Sequence, residues 1–397
     1  MRVYHFSEQA YPAAWDIKAD SMRVSLPNKH LDPVLAADLY HRYFDEWMLA
    51  DELGLDIMMN EHHATPSCIS PTVNIQLGIV ARETKRARLL TLGVPIANRP
   101  DPLRVAEELS VVDVISRGRL QMGLVRGVPY ELNPANSNPA RMTDRFWEAH
   151  DLILKAMTTH DGPFRWEGEF FQYRSVNIWP RPYQQPHPPV WITSNSPRSI
   201  EKIAAHGHIV ATILTGWNTR KLYDHYRKVW SDMKRGPVPA DRFAYCCFIS
   251  VADNEAEAQR RARILLRQLW VHPVAEPFVN PPGYLSPADN ARILKLGPLN
   301  PLKAVTATTK DGRKIFPLDD ASSVEDFIQA GLLFCGTPDQ VYRQATEFVD
   351  HTGGLGNLLV QFQAGALGHK ETVDNLTMFS REVLPRLKDY SPRELAA

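Results

Sequence analysis

The feature that most constrains the fold is a series of eight short apolar segments separated by patterns typical of helices. Each segment is a continuous run of large and β-branched residues, which is typical of parallel strands buried on both faces. Eight such strands predict an α/β fold, a (β/α)8 barrel of the TIM type. The predicted strands are residues 3–6, 55–60, 89–94, 120–125, 190–194, 209–214, 243–251 and 358–362.

Helices are predicted between these strands from their period and from the residues at their ends. Residues 34–53 carry apolar side chains at helical spacing, and Gly54 ends the pattern. Further along the chain, Thr337 fits an N-cap and Pro338 fits the first helical position, where the missing amide hydrogen has no partner to lose. The alternation of strand and helix supports the barrel.

Three segments are longer than the loops of a minimal barrel and follow strands 1, 4 and 7: residues 7–31, 161–189 and 271–332. Loops of this length are usually functional, and their aromatic residues argue against disorder. We therefore predict one barrel domain over residues 1–397 with these three insertions. The longest, residues 271–332, is a candidate lid over the mouth of the barrel.

Charge and cysteine content exclude several classes of protein. The 45 basic and 45 acidic residues cancel, so no nucleic-acid partner is expected. The four cysteines have no metal-ligand spacing, and no apolar run approaches the length of a membrane span. Met1 begins a short strand without the apolar region of a signal peptide. We expect a cytoplasmic, reduced protein that does not interact with membranes.

Two adjacent histidines follow the second predicted strand. They would lie at the carboxyl end of the barrel, where active sites of this fold are found. Because side chains alternate along a strand, either His62 or His63 should face the mouth. A neutral imidazole there can act as a general base, oriented by a carboxylate such as Glu61. The alternative is a pair of structural histidines bonded to backbone. No metal site is predicted, because the pair lacks zinc-ligand spacing and no cluster was found among the other histidines.

Arg126 stands at the carboxyl end of the fourth predicted strand and is a candidate ligand for an anion. Taken alone, it pairs more readily with Glu131 or Asp144. The fifth strand, however, leads into a helix that begins near Ser196 and Ser199, where unpaired amides and hydroxyl groups suit a phosphate. A well-capped helix without a ligand is the alternative.

Gly93 interrupts the third predicted strand. Glycine within a strand indicates a bulge or the close approach of a flat ligand. The following bond, between Val94 and Pro95, has a modest chance of being cis. A plain strand end is the simpler interpretation.

Taken together, these segments resemble the bacterial luciferase-like flavin-dependent monooxygenase family. The matches occur in order over most of the chain, so the set is more specific than any single motif. The matching segments are residues 54–63, 102–120, 123–127, 180–182 with 188–192, and 336–341.

The resemblance implies a barrel that binds reduced FMN at its carboxyl mouth, with the flavin supplied by a separate reductase. Dioxygen would be the co-substrate, and a C4a-peroxyflavin would oxygenate a small, largely apolar organic molecule. His62 matches the family's catalytic histidine, while Arg126 and Arg145 match its phosphate-binding arginines. Ser196 and Ser199 match hydroxyl-bearing positions at the phosphate.

Two further positions carry expectations from the resemblance. Asn195 stands where luciferase has a glutamate, and its amide can still orient phosphate or ribityl oxygens. Gly93 and Val94 fall at a strand bulge where many relatives hold a non-prolyl cis peptide under the flavin ring. A homodimer is the usual assembly of the family.

Three other functions fit the same residues. An oxidoreductase of this fold can use deazaflavin F420 for hydride transfer without oxygen. A non-catalytic flavin-binding protein would bind FMN without substrate-dependent oxygen uptake. A phosphate-binding barrel enzyme unrelated to flavin is the least favoured, because its ligand needs neither the bulge at Gly93 nor a large apolar mouth.

Overall fold

The computed structural model describes residues 1–132, 134–271, 273–275, 278, 286, 305–312 and 315–392 of the 397-residue chain. Its strands are, in chain order, β1 (Arg2–Phe6), β2 (Asp56–Met59), β3 (Leu89–Pro95), β4 (Leu120–Val125), β5 (Phe164–Glu167), β6 (Gln172–Val176), β7 (Val190–Thr193), β8 (Ile209–Ile213), β9 (Phe243–Val251), β10 (Val305–Thr308), β11 (Ile315–Leu318), β12 (Leu333–Gly336) and β13 (Asn357–Gln361).

The α-helices of the described residues alternate with these strands. They are α1 (Pro33–Glu52), α2 (Val73–Glu83), α3 (Pro102–Ile115), α4 (Met142–Thr158), α5 (Pro197–His206), α6 (Thr219–Asp232), α7 (Glu255–Leu266), α8 (Val324–Gln329), α9 (Pro338–Thr352), α10 (His369–Met378) and α11 (Leu384–Lys388). None of them combines the length and apolar character needed to cross a membrane.

Eight parallel strands close into a barrel. Their pairing runs from β1 through β2, β3, β4, β7, β8, β9 and β13, and β13 pairs again with β1. These are the eight strands predicted from the apolar segments, so the predicted (β/α)8 barrel is confirmed.

One short strand of the main sheet was not predicted. In β9, Phe248 pairs with Gln361 of β13 and also with Leu333 of β12. The strand β12 therefore extends the edge of β9 beyond the part that pairs with β8. Its apolar run, residues 332–335 between α8 and the cap of α9, is too short to distinguish a strand from a loop.

The strands are buried on both faces, which explains their continuous apolar sequences. In β3, Leu89 and Val94 pack in the layer between strands and helices, whereas Leu90 and Leu92 belong to the barrel interior. The four cysteines are free and buried within these layers, as expected for ordinary core thiols.

Helix ends follow the capping residues of the sequence. Asp32 accepts a hydrogen bond from Val34 N at the start of α1. Thr337 forms a capping box with Gln340 at the start of α9. These caps satisfy amides that the first turn leaves unpaired. The N-cap and first helical position predicted at Thr337 and Pro338 are confirmed.

Two of the predicted insertions contain antiparallel hairpins that the sequence did not predict. The pair β5 and β6 lies in residues 161–189, and the carboxylate of Glu148 on α4 accepts three backbone hydrogen bonds from residues 169–171 at its turn. The pair β10 and β11 lies in residues 271–332. About half of the lid predicted there, residues 271–332, lies outside the described residues.

Candidate functional site

A cavity of about 800 Å3 opens at the carboxyl ends of the barrel strands. Barrels of this kind bind their ligands at that end, because the loops that follow the strands converge there. The described residues of its wall include Glu8 after β1, Glu61 and His62 after β2, Gly93 in β3, Arg126 and Glu131 after β4, residues 194–196 with Ser199 after β7, and Leu214 after β8.

His62 lies between two carboxylates in this cavity. Its Nδ1 is 2.9 Å from Glu131 Oε1, and its Nε2 is 3.9 Å from Glu8 Oε2. Burial of the ring disfavours the charged form, but the charge and hydrogen bond of Glu131 outweigh it and raise the pKa of His62 above its usual value. Burial likewise acts to raise the pKa of Glu131, and His62 reverses this, so that carboxyl has a lowered pKa. The pair favours an imidazolium beside a carboxylate.

Tyr130 and Arg23 complete the surroundings of the histidine. The Tyr130 hydroxyl lies 3.4 Å from His62 Nδ1. Arg23 Nη1 donates a hydrogen bond to this hydroxyl, and its guanidinium lies 4.5 Å from the centre of the Tyr130 ring. The sequence did not predict Tyr130 and Arg23, because both lie outside the strands and α-helices, where no apolar period marks a position.

Glu61 does not orient His62, contrary to the prediction. Arg99 Nη2 donates to both of its carboxylate oxygens at 2.6 and 2.8 Å, and His63 Nε2 lies 3.6 Å from Oε1. Burial raises the pKa of Glu61 to about 7, although Arg99 opposes this shift. The carboxylate that orients His62 is Glu131, which follows a different strand.

The candidate phosphate ligands lie in the same cavity. Arg126 is exposed to it and donates from Nη1 to Thr143 Oγ1 at 3.3 Å. Ser196 is the N-cap of α5, its side chain makes no capping bond, and Ser199 lies in the first turn. The alternative pairing of Arg126 with Glu131 does not occur, because His62 occupies that carboxylate.

Arg145 and Asn195, two of the predicted cofactor residues, form hydrogen bonds with backbone groups. Arg145 does not line the cavity; it donates to the carbonyls of Ala97 and Arg99, each at 2.9 Å. Asn195 lines the cavity, but its amide bonds Ile213 N and O at 3.2 and 3.1 Å. In this arrangement both side chains support the loops that carry the ligand-facing groups.

The bulge predicted in β3 is present, since its register with β4 shifts between Thr91 and Val94. Gly93 lines the cavity, whereas Val94 packs in the outer core. The non-prolyl cis peptide joins Leu92 to Gly93, one residue before the position expected from the resemblance, and the bond between Val94 and Pro95 is not cis. A Cβ on Gly93 would lie 2.7 Å from Val125 Cγ1, so glycine is required for the close packing of these strands.

Three buried polar atoms of the cavity wall have no hydrogen-bond partner among the described residues: Arg23 Nε, Gln268 Oε1 and Gln361 Oε1. Buried polar groups are almost always paired, because leaving one unpaired costs about 1 to 3 kcal/mol. A ligand edge that both donates and accepts hydrogen bonds would satisfy them. The edge of a flavin ring has this character.

The closed parallel barrel and its cavity define a class of proteins that bind ligands at the carboxyl ends of their strands. The family model for luciferase-like monooxygenases matches residues 23–354. The chain therefore belongs to the luciferase-like monooxygenase family, and the resemblance found in the sequence is confirmed.

Two similar proteins match about half of the chain. The uncharacterized protein y4wF of Sinorhizobium fredii is 34% identical over 52% of this chain and 63% of its own length. The oxygenase component of flavin-dependent trigonelline monooxygenase from Acinetobacter baylyi is 29% identical over 56% of this chain and 62% of its own length. The matched region spans just under two thirds of each of these relatives.

Solved structures share the fold over nearly the whole chain. Monooxygenase RslO1 from Streptomyces bottropensis has a TM-score of 0.72 at 21% identity, covering 98% of this chain and 100% of its own. The oxygenating constituent of 3,6-diketocamphane monooxygenase from Pseudomonas putida, in complex with FMN, has a TM-score of 0.69 at 18% identity, covering 97% and 98%. An F420-dependent secondary alcohol dehydrogenase has a TM-score of 0.64 at 14% identity, covering 98% and 99%.

Proposed function

We propose that this protein is the oxygenase component of a two-component, FMN-dependent monooxygenase. The observation that carries the proposal is the presence, in one cavity, of the His62 and Glu131 pair and of Arg126, Ser196 and the start of α5, which we propose as the ligands of an anion. Family membership supports it, and so does the FMN in the 3,6-diketocamphane monooxygenase structure. Reduced FMN would come from a separate reductase, as the name of the trigonelline relative, an oxygenase component, suggests.

Residues of this chain fit FMN in two places. Arg126, the hydroxyls of Ser196 and Ser199 and the amides at the start of α5 would bind the phosphate, because the arginine is cationic and the helix end is positive. The ring would lie beside Gly93, where no side chain intervenes. When bound, reduced FMN would supply the electrons that activate dioxygen.

His62 would hold and transfer a proton at Nε2, since Nδ1 is directed at Glu131. The carboxylate keeps the ring oriented and favours its protonated form, so the ring can donate a proton and recover it within one cycle. The Tyr130 hydroxyl, which accepts a hydrogen bond from Arg23, also lies beside Nδ1 and would help to hold the ring in place. Exclusion of water from the cavity would limit the loss of activated oxygen as hydrogen peroxide.

The substrate is proposed to be a small, largely apolar organic molecule. Apolar side chains form much of the described cavity wall: Phe6, Met58, Leu92, Phe146, Ile192, Ile213 and Phe248. Such walls bind by removing apolar surface from water, and a few polar groups set the orientation. The free buried thiols are compatible with a cytoplasmic location, which we also propose.

We also propose a homodimer that covers the outer faces of α2 and α3. Large apolar side chains are exposed there: Ile75, Ile79, Val111, Val114 and Ile115. Asn74 on α2 donates to Glu108 on α3 at 2.9 Å, so the two helices present one surface. Replacement of Ile75 and Val114 by Lys should give monomers in sedimentation velocity; an unchanged sedimentation coefficient would contradict this interface.

A cofactor comparison tests the proposed reaction. The protein is mixed with a generic flavin reductase, NADH and FMN, and oxygen uptake and product mass are measured across a panel of small organic compounds. We expect substrate-stimulated uptake and a product heavier by one oxygen atom. Binding of F420 with no response to reduced FMN would instead identify an F420-dependent oxidoreductase. Tight FMN binding without stimulated uptake would identify a flavin-binding protein.

A further inference from the structure

Three histidines meet on the outside of the barrel, away from the cavity. His150 lies in the middle of α4, His206 is the last residue of α5, and His208 directly precedes β8. None of the three lines the cavity. The sequence predicts no histidine cluster, because His150 and His208 are 58 positions apart and no short motif contains both of them.

The geometry brings one ligand nitrogen of each ring within 4.8 Å of the others. His150 Nε2 and His208 Nε2 are 2.8 Å apart, and the rings of His206 and His208 stack with centres 5.2 Å apart. Among the described residues, these histidines are the group of three or more His, Cys, Asp or Glu side chains whose possible ligand atoms all lie within 4.8 Å of one another.

The carboxylate of Asp151 orients one of the three rings. His150 Nδ1 lies 2.8 Å from Asp151 Oδ1, so Nδ1 carries the proton and Nε2 is the unprotonated nitrogen of the ring. Metal-bound histidines are commonly oriented in this way, by a carboxylate on the nitrogen that does not bind the metal. The hydrogen bond with Asp151 therefore already gives His150 the tautomer that metal binding through Nε2 requires.

We propose that His150, His206 and His208 form a binding site for a divalent transition metal of the zinc class, with water as the fourth ligand. Three imidazoles and a water suit tetrahedral Zn2+, whereas Mg2+ and Ca2+ prefer oxygen. Zinc-to-nitrogen bonds of about 2.0 to 2.1 Å place two ligand nitrogens about 3.3 Å apart, so the His150 and His208 rings would separate slightly on binding.

Binding also requires a change of tautomer in His208. In the hydrogen bond between the two Nε2 atoms, His150 accepts, and the proton therefore lies on His208 Nε2. This proton must move to Nδ1 before the ring can bind a metal.

Charges nearby act in both directions. Lys202 Nζ lies 4.2 Å from the centre of the Trp147 ring that stacks on His206, and Arg235 donates to the carbonyls at the end of α5, so both cations oppose a bound metal ion. Asp151 favours one. We therefore expect a dissociation constant in the micromolar range, so that the metal binds less tightly than at a site with thiolate ligands.

A metal ion at this site would stabilise the fold and would take no direct part in the proposed reaction. It would join α4, α5 and the start of β8, three elements that also carry cavity residues. Trp147, one turn before His150, lines the cavity and stacks on His206 with ring centres 5.4 Å apart. Metal binding would thus hold this wall of the cavity in place.

Cobalt binding to the full-length protein, purified without a histidine tag and treated with a chelator, tests the proposal. We expect one equivalent of Co2+ to bind and to give the visible absorption of tetrahedral cobalt. His206→Ala should abolish this absorption; His206 is exposed, so its removal leaves the buried pair of His150 and His208 in place. The control is His160→Ala, at an exposed histidine that follows α4.

Thermal unfolding with Zn2+ provides a second measurement. Saturating Zn2+ should raise the Tm of the wild type and of His160→Ala by about 3 °C, because the metal binds only the folded chain. His206→Ala should show no rise. Equal cobalt binding or equal Tm shifts in all three proteins, or less than half an equivalent bound by the wild type, would overturn the proposal.

Discussion

Glu131 Oε1 accepts hydrogen bonds from both His62 Nδ1, at 2.9 Å, and the backbone N of His63, at 3.0 Å. One carboxylate oxygen thus fixes the ring of His62 and the turn that carries it. Because Glu131 follows β4 and His62 follows β2, the contact also joins two loops across the mouth of the barrel.

Replacement of the carboxylate should lower the pKa of His62. In Glu131→Gln the ring loses its nearer charged partner, while burial still opposes the charged form and only the more distant Glu8 carboxylate favours it. The pKa of His62 should therefore be lower in the variant than in the wild type. NMR titration of the labelled His62 ring measures it. The control, Glu167→Gln, removes an exposed carboxylate and should leave the titration unchanged.

Removal of the ring itself should uncouple oxygen consumption from product formation. In His62→Ala, FMN should still bind, because the proposed phosphate ligands are intact. Loss of the proton-transferring group should reduce substrate oxygenation by about 10²- to 10⁴-fold and increase release of hydrogen peroxide. Oxygen uptake, product and peroxide are measured together. Fully coupled turnover in this variant would remove His62 from the mechanism.

Arg126→Ala should weaken FMN binding by about 10- to 100-fold, the usual value of a charge-assisted hydrogen bond. Riboflavin, which lacks the phosphate, should bind the variant and the wild type alike. Fluorescence titration with both ligands separates the two effects. Arg174→Ala, at an exposed arginine on β6, is the matched control. Equal losses for FMN and riboflavin would show that Arg126 does not bind the phosphate.

Glu61 should give the stability a distinct dependence on pH. Its folded pKa of about 7 exceeds its ordinary value of 4.5, so between these values the folded state holds a proton that the unfolded chain has lost. The free energy of unfolding therefore falls as pH rises through this window, by up to about 1 kcal/mol per pH unit from this group. In Glu61→Gln this contribution should be absent.

Urea unfolding of the wild type and Glu61→Gln at several values between pH 4.5 and 7 measures the difference. Arg99 can still donate to the amide oxygen of the variant, so its partner is not lost entirely. A stability difference between the two proteins that stays constant across this range would contradict the raised pKa.

Much of the fold was predictable because its signal is local. A strand such as 89–94 is apolar throughout because both of its faces are buried, and this is visible in a few consecutive residues. The bulge at Gly93 and the cap at Thr337 are local in the same sense. The four-residue strand β12 was missed because so short an apolar run does not separate strand from loop.

The site was predictable only in part. His62, Arg126 and Ser196 lie at strand ends and helix starts, so barrel topology predicts that they converge, and they do line one cavity. Their exact partners follow from no local pattern. Arg145 and Asn195 make backbone contacts that only the folded loops define.

By itself the sequence determined the barrel, its eight strands and the end at which ligand-facing residues gather, because burial and helix capping leave patterns in neighbouring residues. Tertiary structure alone decided that Glu131 rather than Glu61 orients His62, and that His150 meets His208. Those partners are 69 and 58 positions apart, and contacts at such separations depend on how the loops and helices pack around the barrel.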